Sequence, residues 1–244
     1  MNILDSLPDE PEENPSPVSS TPNNQLDKQK QLKRPQLQVD APLRMVETAF
    51  LASTASLIWF INFYFPLGPV LRIFFPVPIA LVYLRWGKRA AWMAAVTSGL
   101  LLAVLMGPVR SILFVMPFAL MGVLLGATWH RRVPWIVSIT LGMLLGTLGV
   151  FFRLWLLSVL SGEDLWVYVI NQVTEIIEWI FLKLEILATP SVFFIQVGAV
   201  LLVAFNNLIY LFVVHLAAWL LLDRLGNPIP RPPRWVQVLM DYEG

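Results

Sequence analysis

The chain has 244 residues, of which 57% are hydrophobic and only 14% charged, and its mean hydropathy is +0.68. A soluble domain averages about 45–50% apolar and about 25% charged residues, so a soluble globular fold is excluded. The net charge of +1 gives no general attraction to nucleic acid, and a chain without cysteine has no disulfides, thiolate zinc sites or iron–sulfur clusters.

A polar segment rich in Pro, Ser, Asn and Gln occupies residues 1–44. Such a composition cannot bury enough apolar surface to offset the entropy of ordering, so we predict a disordered tail. The segment lacks the basic start and the apolar core of a secretory signal, and we expect it to lie in the cytoplasm.

Long apolar runs make up most of the remaining chain. A helix needs roughly 20 apolar residues to cross about 30 Å of hydrocarbon, and backbone groups in lipid must be satisfied within the segment. The sequence therefore predicts an all-α integral membrane protein, with a six-transmembrane-helix domain over 45–225 and a short cytoplasmic tail over 226–244. The predicted spans are approximately 46–65, 69–86, 89–106, 109–129, 133–160 and 191–224.

The Lys and Arg residues predict the orientation of these spans. Most of the 17 fall in the N-terminal tail, in the turns at 85–89 and 131–132, and after residue 223, which are the segments that an even number of spans places on one side. Because cytoplasmic loops carry the excess of positive charge, both termini are predicted to be cytoplasmic. The expected location is a cell membrane such as a bacterial inner membrane, with a thylakoid membrane as the alternative.

The segment 163–187 differs from the six runs because acidic residues interrupt it, among them Glu175 and Glu178. Its apolar residues recur at helical spacing, which predicts an amphipathic helix on the outer face of the membrane. A seventh span is the alternative, but two carboxylates near mid-segment would make its insertion costly.

Small residues at helical spacing predict close contacts between helices. The alternatives are packing inside the bundle and docking of another membrane protein. The residues concerned are Ala49, Ala52, Ser53 and Ser56 in the first span, Gly122 and Gly126 in the fourth, and Gly142 and Gly146 in the fifth. We expect the fourth and fifth spans to form a packed hairpin.

Three arginines from different spans, Arg72, Arg110 and Arg153, are predicted to lie in the outer half of the membrane. Ionisable groups at this depth pair with a partner, snorkel to the interface or face a cavity, and the arginine fork suits a carboxylate or a phosphate. We interpret them, together with Asn206 and Asn207, as candidate ligand-binding residues. Glu175 and Glu178 are then candidates for a lid that pairs with the arginines when the site is empty.

Catalytic motifs are absent from the sequence. It contains no nucleophile elbow, P-loop, dinucleotide fingerprint or zinc-protease helix, and its two histidines leave little for a metal site. We therefore expect no enzyme activity, no metal and no cofactor.

The stretch 66–132 joins a proline-broken span, PVLRIFFPVPIALVYLRWG, to the basic turn KRAAW and to the glycine-bearing run PFALMGVLLGATWHRR. It resembles the YybS-like family of multi-pass membrane proteins, which is similar in fold to the substrate-binding subunits of energy-coupling-factor vitamin transporters. The resemblance covers about residues 45–225. It implies a six-helix bundle with a ligand cavity that opens outward, and a membrane scaffold protein with two cytoplasmic ATPases as the partner, but no particular ligand.

Two functions follow from these observations. The first is a substrate-capture subunit of an uptake transporter for a small, anionic molecule. The second is a non-transporting scaffold or assembly factor for another membrane complex. In both cases membrane lipid is a partner and nucleic acid is not.

Overall fold

The computed structural model describes the backbone of residues 22–65, 69–183, 191–226 and 229–230, with the side chains from residue 41 onward except that of Pro69. Every regular element in these ranges is helical, which confirms the predicted all-α fold. The elements are α1 (Pro22–Tyr64), α2 (Pro69–Ile73), α3 (Val77–Met106), α4 (Pro108–Phe114), a π-helical turn (Val115–Ala119), α5 (Leu120–His130), α6 (Trp135–Ser161), α7 (Leu165–Lys183) and α8 (Val192–Arg224).

Six helical segments in the described ranges are long and apolar enough to cross a membrane. They are Ala41–Tyr64, Val70–Met106, Pro108–His130, Trp135–Ser161, Leu165–Lys183 and Val192–Arg224. The second of these covers both the second and the third predicted spans, and the fifth is the predicted amphipathic helix.

The chain reverses direction at Gly87, inside α3. Gly87 has φ +79° and ψ −173°, a left-handed conformation that glycine adopts without the strain of a Cβ. Before Gly87, Ile79 lies against Gly122 and Tyr83 against Gly126, so residues 77–86 run parallel to α5.

After Gly87, Gly99 approaches Val115, and Ser111 Oγ donates a hydrogen bond to the Gly99 carbonyl. A straight α3 would carry Gly99 away from residues 111–115, so residues 88–106 must return across the bundle. Gly107, with φ +91°, makes the next reversal into α4. The predicted spans 69–86 and 89–106 are therefore separate passes.

The bundle has two distinguishable ends. The helix-connecting turns at 85–89 and 131–132 meet at one end, because the Tyr83 and His130 rings pack 5.9 Å apart. We call this the basic end, defined by Arg85, Lys88, Arg89, Arg131, Arg132 and Arg224. The opposite, or far, end is defined by Tyr64, Gly107, Gly162 and Val192.

The described contacts place α7 at the far end. α6 and α8 are antiparallel, because Ser138 contacts His215 while Gly146 contacts Asn207. The end of α6 and the start of α8 therefore both lie at the far end, and the chain that includes α7 leaves and returns there. No residue of α7 is buried, and Asp164 Oδ1 caps its N-terminus by accepting from Trp166 N at 3.0 Å.

Glycines set the closest approaches between helices. A Cβ at Gly126 would lie 2.4 Å from Tyr83 Cβ, and one at Gly122 would lie 2.7 Å from the Pro76 carbonyl. Gly142 and Gly146 instead meet Leu211 and Asn207 of α8. Gly142 and Gly146 also contact Met121 of α5, at 3.3 and 3.4 Å from an added Cβ, and Thr128 Oγ1 lies 2.8 Å from Ser138 Oγ, so the fourth and fifth spans form the predicted hairpin.

About half of the predicted N-terminal tail and most of the predicted C-terminal tail lie outside the described residues. Residues 1–21 and 231–244 are not described, whereas 22–44, predicted as part of a disordered segment, lie in α1. Gln, Leu and Lys are frequent in that stretch and favour helix. Near the C-terminus, Ile229 is buried and the Pro230 carbonyl accepts a hydrogen bond from Trp135 Nε1 at 2.8 Å.

Candidate functional site

An aromatic cluster surrounds Trp59 in the far half of the bundle. The Trp59 ring lies 5.1 Å from Phe75, 5.5 Å from Phe114 and 5.3 Å from Phe118. Phe75 and Phe114 are fully buried. Phe75 reaches this position because it lies in the bend between α2 and α3, so the proline-broken span places its ring against α1.

Two polar atoms next to this cluster have no hydrogen-bond partner among the described residues. Trp59 Nε1 and Asn62 Oδ1 are both buried, one a donor and the other an acceptor. The two residues are three apart on α1 and therefore lie on neighbouring positions of one helix face. Each unsatisfied buried group costs about 1–3 kcal/mol, so this pair needs a partner such as a ligand or water.

Tyr210 of α8 closes the other side of the broken span. Its hydroxyl donates to the Arg72 carbonyl at 2.9 Å, and its ring lies 6.5 Å from Phe118. In a continuous helix the Arg72 carbonyl would accept from residue 76, which is a proline without an N–H. Tyr210 therefore helps to satisfy the carbonyl that the break exposes, in addition to a bond from Phe75 N at 3.2 Å.

The three predicted ligand-binding arginines occupy separate positions on the bundle. Arg72 is exposed on α2, and the Arg110 guanidinium lies 4.2 Å from the centre of the Phe63 ring in a cation–π contact. Arg153 is exposed on α6, and its guanidinium makes no hydrogen bond or ion pair within the described residues. Their convergence on one ligand stays a prediction.

The predicted lid residues Glu175 and Glu178 are both exposed on α7. Neither forms an ion pair with an arginine in the part of the chain that the structure describes, where the ion pair present joins Arg85 to Glu47. Their role as a lid also stays a prediction.

The adjacent asparagines of α8 separate into two environments. Asn207 is half-buried, and its Nδ2 donates to Thr147 Oγ1 at 3.3 Å, while Asn206 is exposed. A Cβ at Gly146 would lie 2.9 Å from Asn207 Oδ1, so this side chain is part of the α6–α8 contact.

The small-residue face of α1 is also divided. Ala52 and Ser56 are fully buried, and Ser56 Oγ donates to the Ser98 carbonyl at 3.0 Å. Ala49 and Ser53 are exposed on the outside of the bundle. The first pair packs internally, and the second pair remains available to lipid or to another protein.

A buried polar cluster lies nearer the basic end, where three helices meet. His215 Nε2 is 2.9 Å from Ser138 Oγ, which is 2.8 Å from Thr128 Oγ1. His215 and Ser138 are fully buried. The sequence indicates an interhelical role for His215, but neither hydroxyl residue stands out in it, because Ser and Thr are common in membrane helices.

An open groove of about 630 Å³ lies where α6 meets α7 at the far end. Its lining includes Trp155 and Trp166, with Glu163 and Asp164 at the turn between the helices. None of the predicted ligand-binding residues lines it. Within the described residues, no three His, Asp or Glu side chains gather in a way that could hold a metal ion.

Comparison with known proteins adds one finding. A family model described as "Predicted membrane protein (DUF2232)" matches residues 53–238. No curated protein and no solved structure matches the chain.

Proposed function

The chain belongs to the DUF2232 family of predicted membrane proteins, and we propose that it is the substrate-capture subunit of a small-molecule uptake transporter. The observation that carries this proposal is the unpartnered pair Trp59 Nε1 and Asn62 Oδ1, beside a span broken in mid-membrane. Non-helical backbone at membrane depth is tolerated where it meets protein or lines a cavity, and buried orphan polar atoms are explained by a ligand or ordered water.

The residues around Trp59 Nε1 and Asn62 Oδ1 indicate the general chemistry of the proposed ligand. The aromatic rings of Phe75, Phe114 and Phe118 favour an apolar or aromatic body. The Trp59 N–H requires an acceptor on the ligand and Asn62 Oδ1 requires a donor. In this proposal Arg72, Arg110 and Arg153 attract an anionic group to the same half of the membrane, which makes the substrate a small anion with an apolar part.

Orientation and location belong to the same proposal. With the basic end in the cytoplasm, the far end and its orphan pair open toward the outside of a bacterial inner membrane. Reporter fusions after Arg132 and after Gly244 should then report a cytoplasmic location, and a fusion at Gly162 an external one. A cytoplasmic signal at Gly162 would reverse the proposed direction of capture.

The sequence has no P-loop, so the chain cannot drive uptake with its own ATP hydrolysis. We propose a membrane scaffold protein with two cytoplasmic ATPases, in line with the resemblance to energy-coupling-factor subunits. The exposed residues Ala49 and Ser53 of α1 offer a face without bulky side chains for such a partner. Gentle-detergent purification followed by mass spectrometry would identify both the partner and any bound small molecule.

The test of the binding site is a pair of Trp→Phe variants. Trp59→Phe keeps an aromatic ring in the cluster but removes the N–H, so the affinity for a co-purified compound should fall about tenfold, as expected for about 1.5 kcal/mol. Trp129→Phe is the matched control, because Trp129 Nε1 is also buried without a partner but lies toward the basic end. Equal affinities in the two variants would refute the proposed site.

A scaffold or assembly factor is the second candidate function. The same exposed small residues support it, because Ala49 and Ser53 lie beside Phe50, which is 69% exposed. Ala49→Leu should then release an unrelated membrane complex without altering the bundle, whereas Thr140→Leu, at an exposed position of α6, should not. Co-purification of such a complex with no small molecule would favour this function over transport.

A further inference from the structure

We infer that His215 is a proton-binding site inside the membrane domain, formed by a chain of hydroxyl groups that is satisfied in both protonation states of the imidazole. The inference goes beyond the proposed function and does not depend on it. It rests on the linear arrangement of His215, Ser138 and Thr128 across α8, α6 and α5.

In the neutral state every polar group in the chain has a partner. His215 Nδ1 lies 2.8 Å from the Leu211 carbonyl and donates its proton to it. Nε2 is then an acceptor for the hydroxyl of Ser138, 2.9 Å away. Thr128 donates to Ser138 Oγ at 2.8 Å or to the Leu125 carbonyl at 2.9 Å.

In the charged state the hydroxyl groups reverse and every group is again paired. Uptake adds one proton from water to the Nε2 lone pair, and Nε2 becomes a donor to Ser138 Oγ. Ser138 then donates to Thr128 Oγ1, and Thr128 donates to the Leu125 carbonyl. No donor or acceptor is lost, so the usual penalty of an unpaired buried group is avoided in both states.

Two indole rings pack against the imidazole. The rings of Trp129 and Trp135 both lie 5.4 Å from it, Trp129 in an edge-on arrangement and Trp135 tilted. Trp135 Nε1 also donates a hydrogen bond to the Pro230 carbonyl, so the Trp135 ring connects His215 to the C-terminal segment.

No other charged group in the described part of the chain contacts the imidazole. The ionisable side chains on the elements packed around it are Tyr83, Arg85, Lys88 and Arg89 on α3, His130 on α5, Arg153 on α6, and Tyr210, Asp223 and Arg224 on α8. None of these makes a hydrogen bond or ring contact with His215, so its polar partners in the described structure are Ser138 and the Leu211 carbonyl.

The test is a histidine-specific NMR titration of the full chain in lipid nanodiscs. The chain has only two histidines, and His130 is exposed, so His130→Gln leaves His215 as the only imidazole. We expect the ¹⁵N signals of His215 to change from the neutral to the charged form as the pH is lowered, while circular dichroism shows an intact fold. An imidazole that stays neutral for as long as the protein is folded would overturn the inference.

Variants of α6 distinguish a proton-binding role of the cluster from a purely structural hydrogen bond. Ser138→Ala removes the acceptor for the Nε2 proton, so proton affinity should fall at least about tenfold, a shift of about one pH unit in the midpoint. Thr140→Ala is the matched control, because this exposed hydroxyl bonds only to the Ile136 carbonyl of its own helix. If Ser138→Ala does not fold, Thr128→Val tests the same chain at its next member. An unchanged midpoint in the folded variants would also contradict the inference.

Discussion

The basic and far halves of the bundle differ in how their buried polar groups are hydrogen-bonded. Toward the basic end, His215, Ser138 and Thr128 satisfy one another, and Glu47 pairs with Arg85 while accepting from Trp86 Nε1 at 2.9 Å. Toward the far end, Trp59 and Asn62 keep buried polar atoms without partners.

Packing follows the same division. A tight glycine contact lies toward the basic end, where a Cβ at Gly126 would lie 2.4 Å from Tyr83 Cβ. The proline-broken span and the separate exposed arginines lie toward the far end. From this comparison we expect the basic half to be the more rigid one, whereas the far half leaves a buried donor and a buried acceptor without a partner among the described residues. Trp129 is an exception in the basic half, since its Nε1 also lacks a partner.

The largest stability effect is expected at Gly126. Gly126→Ala places a methyl group 2.4 Å from Tyr83 Cβ, which belongs to the rigid base of that side chain, so the two helices must separate. Overpacking of this kind costs about 1–3 kcal/mol, measurable as unfolding in mixed micelles. Gly198→Ala is the control on α8, because no atom of another described helix lies within 4 Å of its added Cβ. Equal stability of the two variants would mean that the basic half is not tightly packed.

A smaller loss is expected from Ser138→Ala. The variant leaves His215 Nε2 and Thr128 without their shared partner, which should lower the free energy of unfolding by about 1–2 kcal/mol. Thr140→Ala removes an exposed hydroxyl that lies 2.8 Å from the Ile136 carbonyl of its own helix. It should change the free energy of unfolding by less than about 0.5 kcal/mol. Thermal unfolding in detergent compares the two variants. An unchanged stability of Ser138→Ala would show that the polar cluster does not stabilise the bundle.

Tyr210→Phe should affect stability less than Ser138→Ala does. The Arg72 carbonyl loses the hydroxyl donor but retains Phe75 N, so the expected loss is about 0.6 kcal/mol. Ligand affinity should fall as well, because Tyr210 holds the broken span in place. Tyr168→Phe, exposed on α7, is the control and should change neither quantity. A loss as large as that of Gly126→Ala would show that the far half is also a rigid element.

The smallest effect is expected at Glu47. Its ion pair with Arg85 is partly exposed, so Glu47→Gln should cost about 0.2–1 kcal/mol, and less at high salt. Glu175→Gln on α7 provides the comparison, since Glu175 has no ion-pair partner among the described residues. Chemical denaturation at two salt concentrations measures both, and an equal response would show that the pair does not stabilise the basic end.

Local chemistry along the chain was sufficient to predict the membrane class and most of the passes. Apolar runs, prolines at 76 and 78, and basic turns are each interpretable without knowledge of a partner, because a lipid environment penalises exposed backbone and charge wherever they occur. The family match over residues 53–238 and the all-helical fold agree with that class.

Only the tertiary structure showed which helices contact one another. The sequence left open whether Gly122 and Gly126 pack inside the bundle or dock a partner, and the structure places them against residues 77–86, while Asn207 and Asn206 lie in different environments. Trp59 and Asn62 become candidates for a binding site only because the break after α2 places Phe75 against α1. Nearly every face of a membrane helix is apolar, so periodicity does not identify the buried side, and lipid provides no hydrophobic force that selects a partner. Shape and hydrogen bonding between distant residues make that selection, and both depend on the assembled helices.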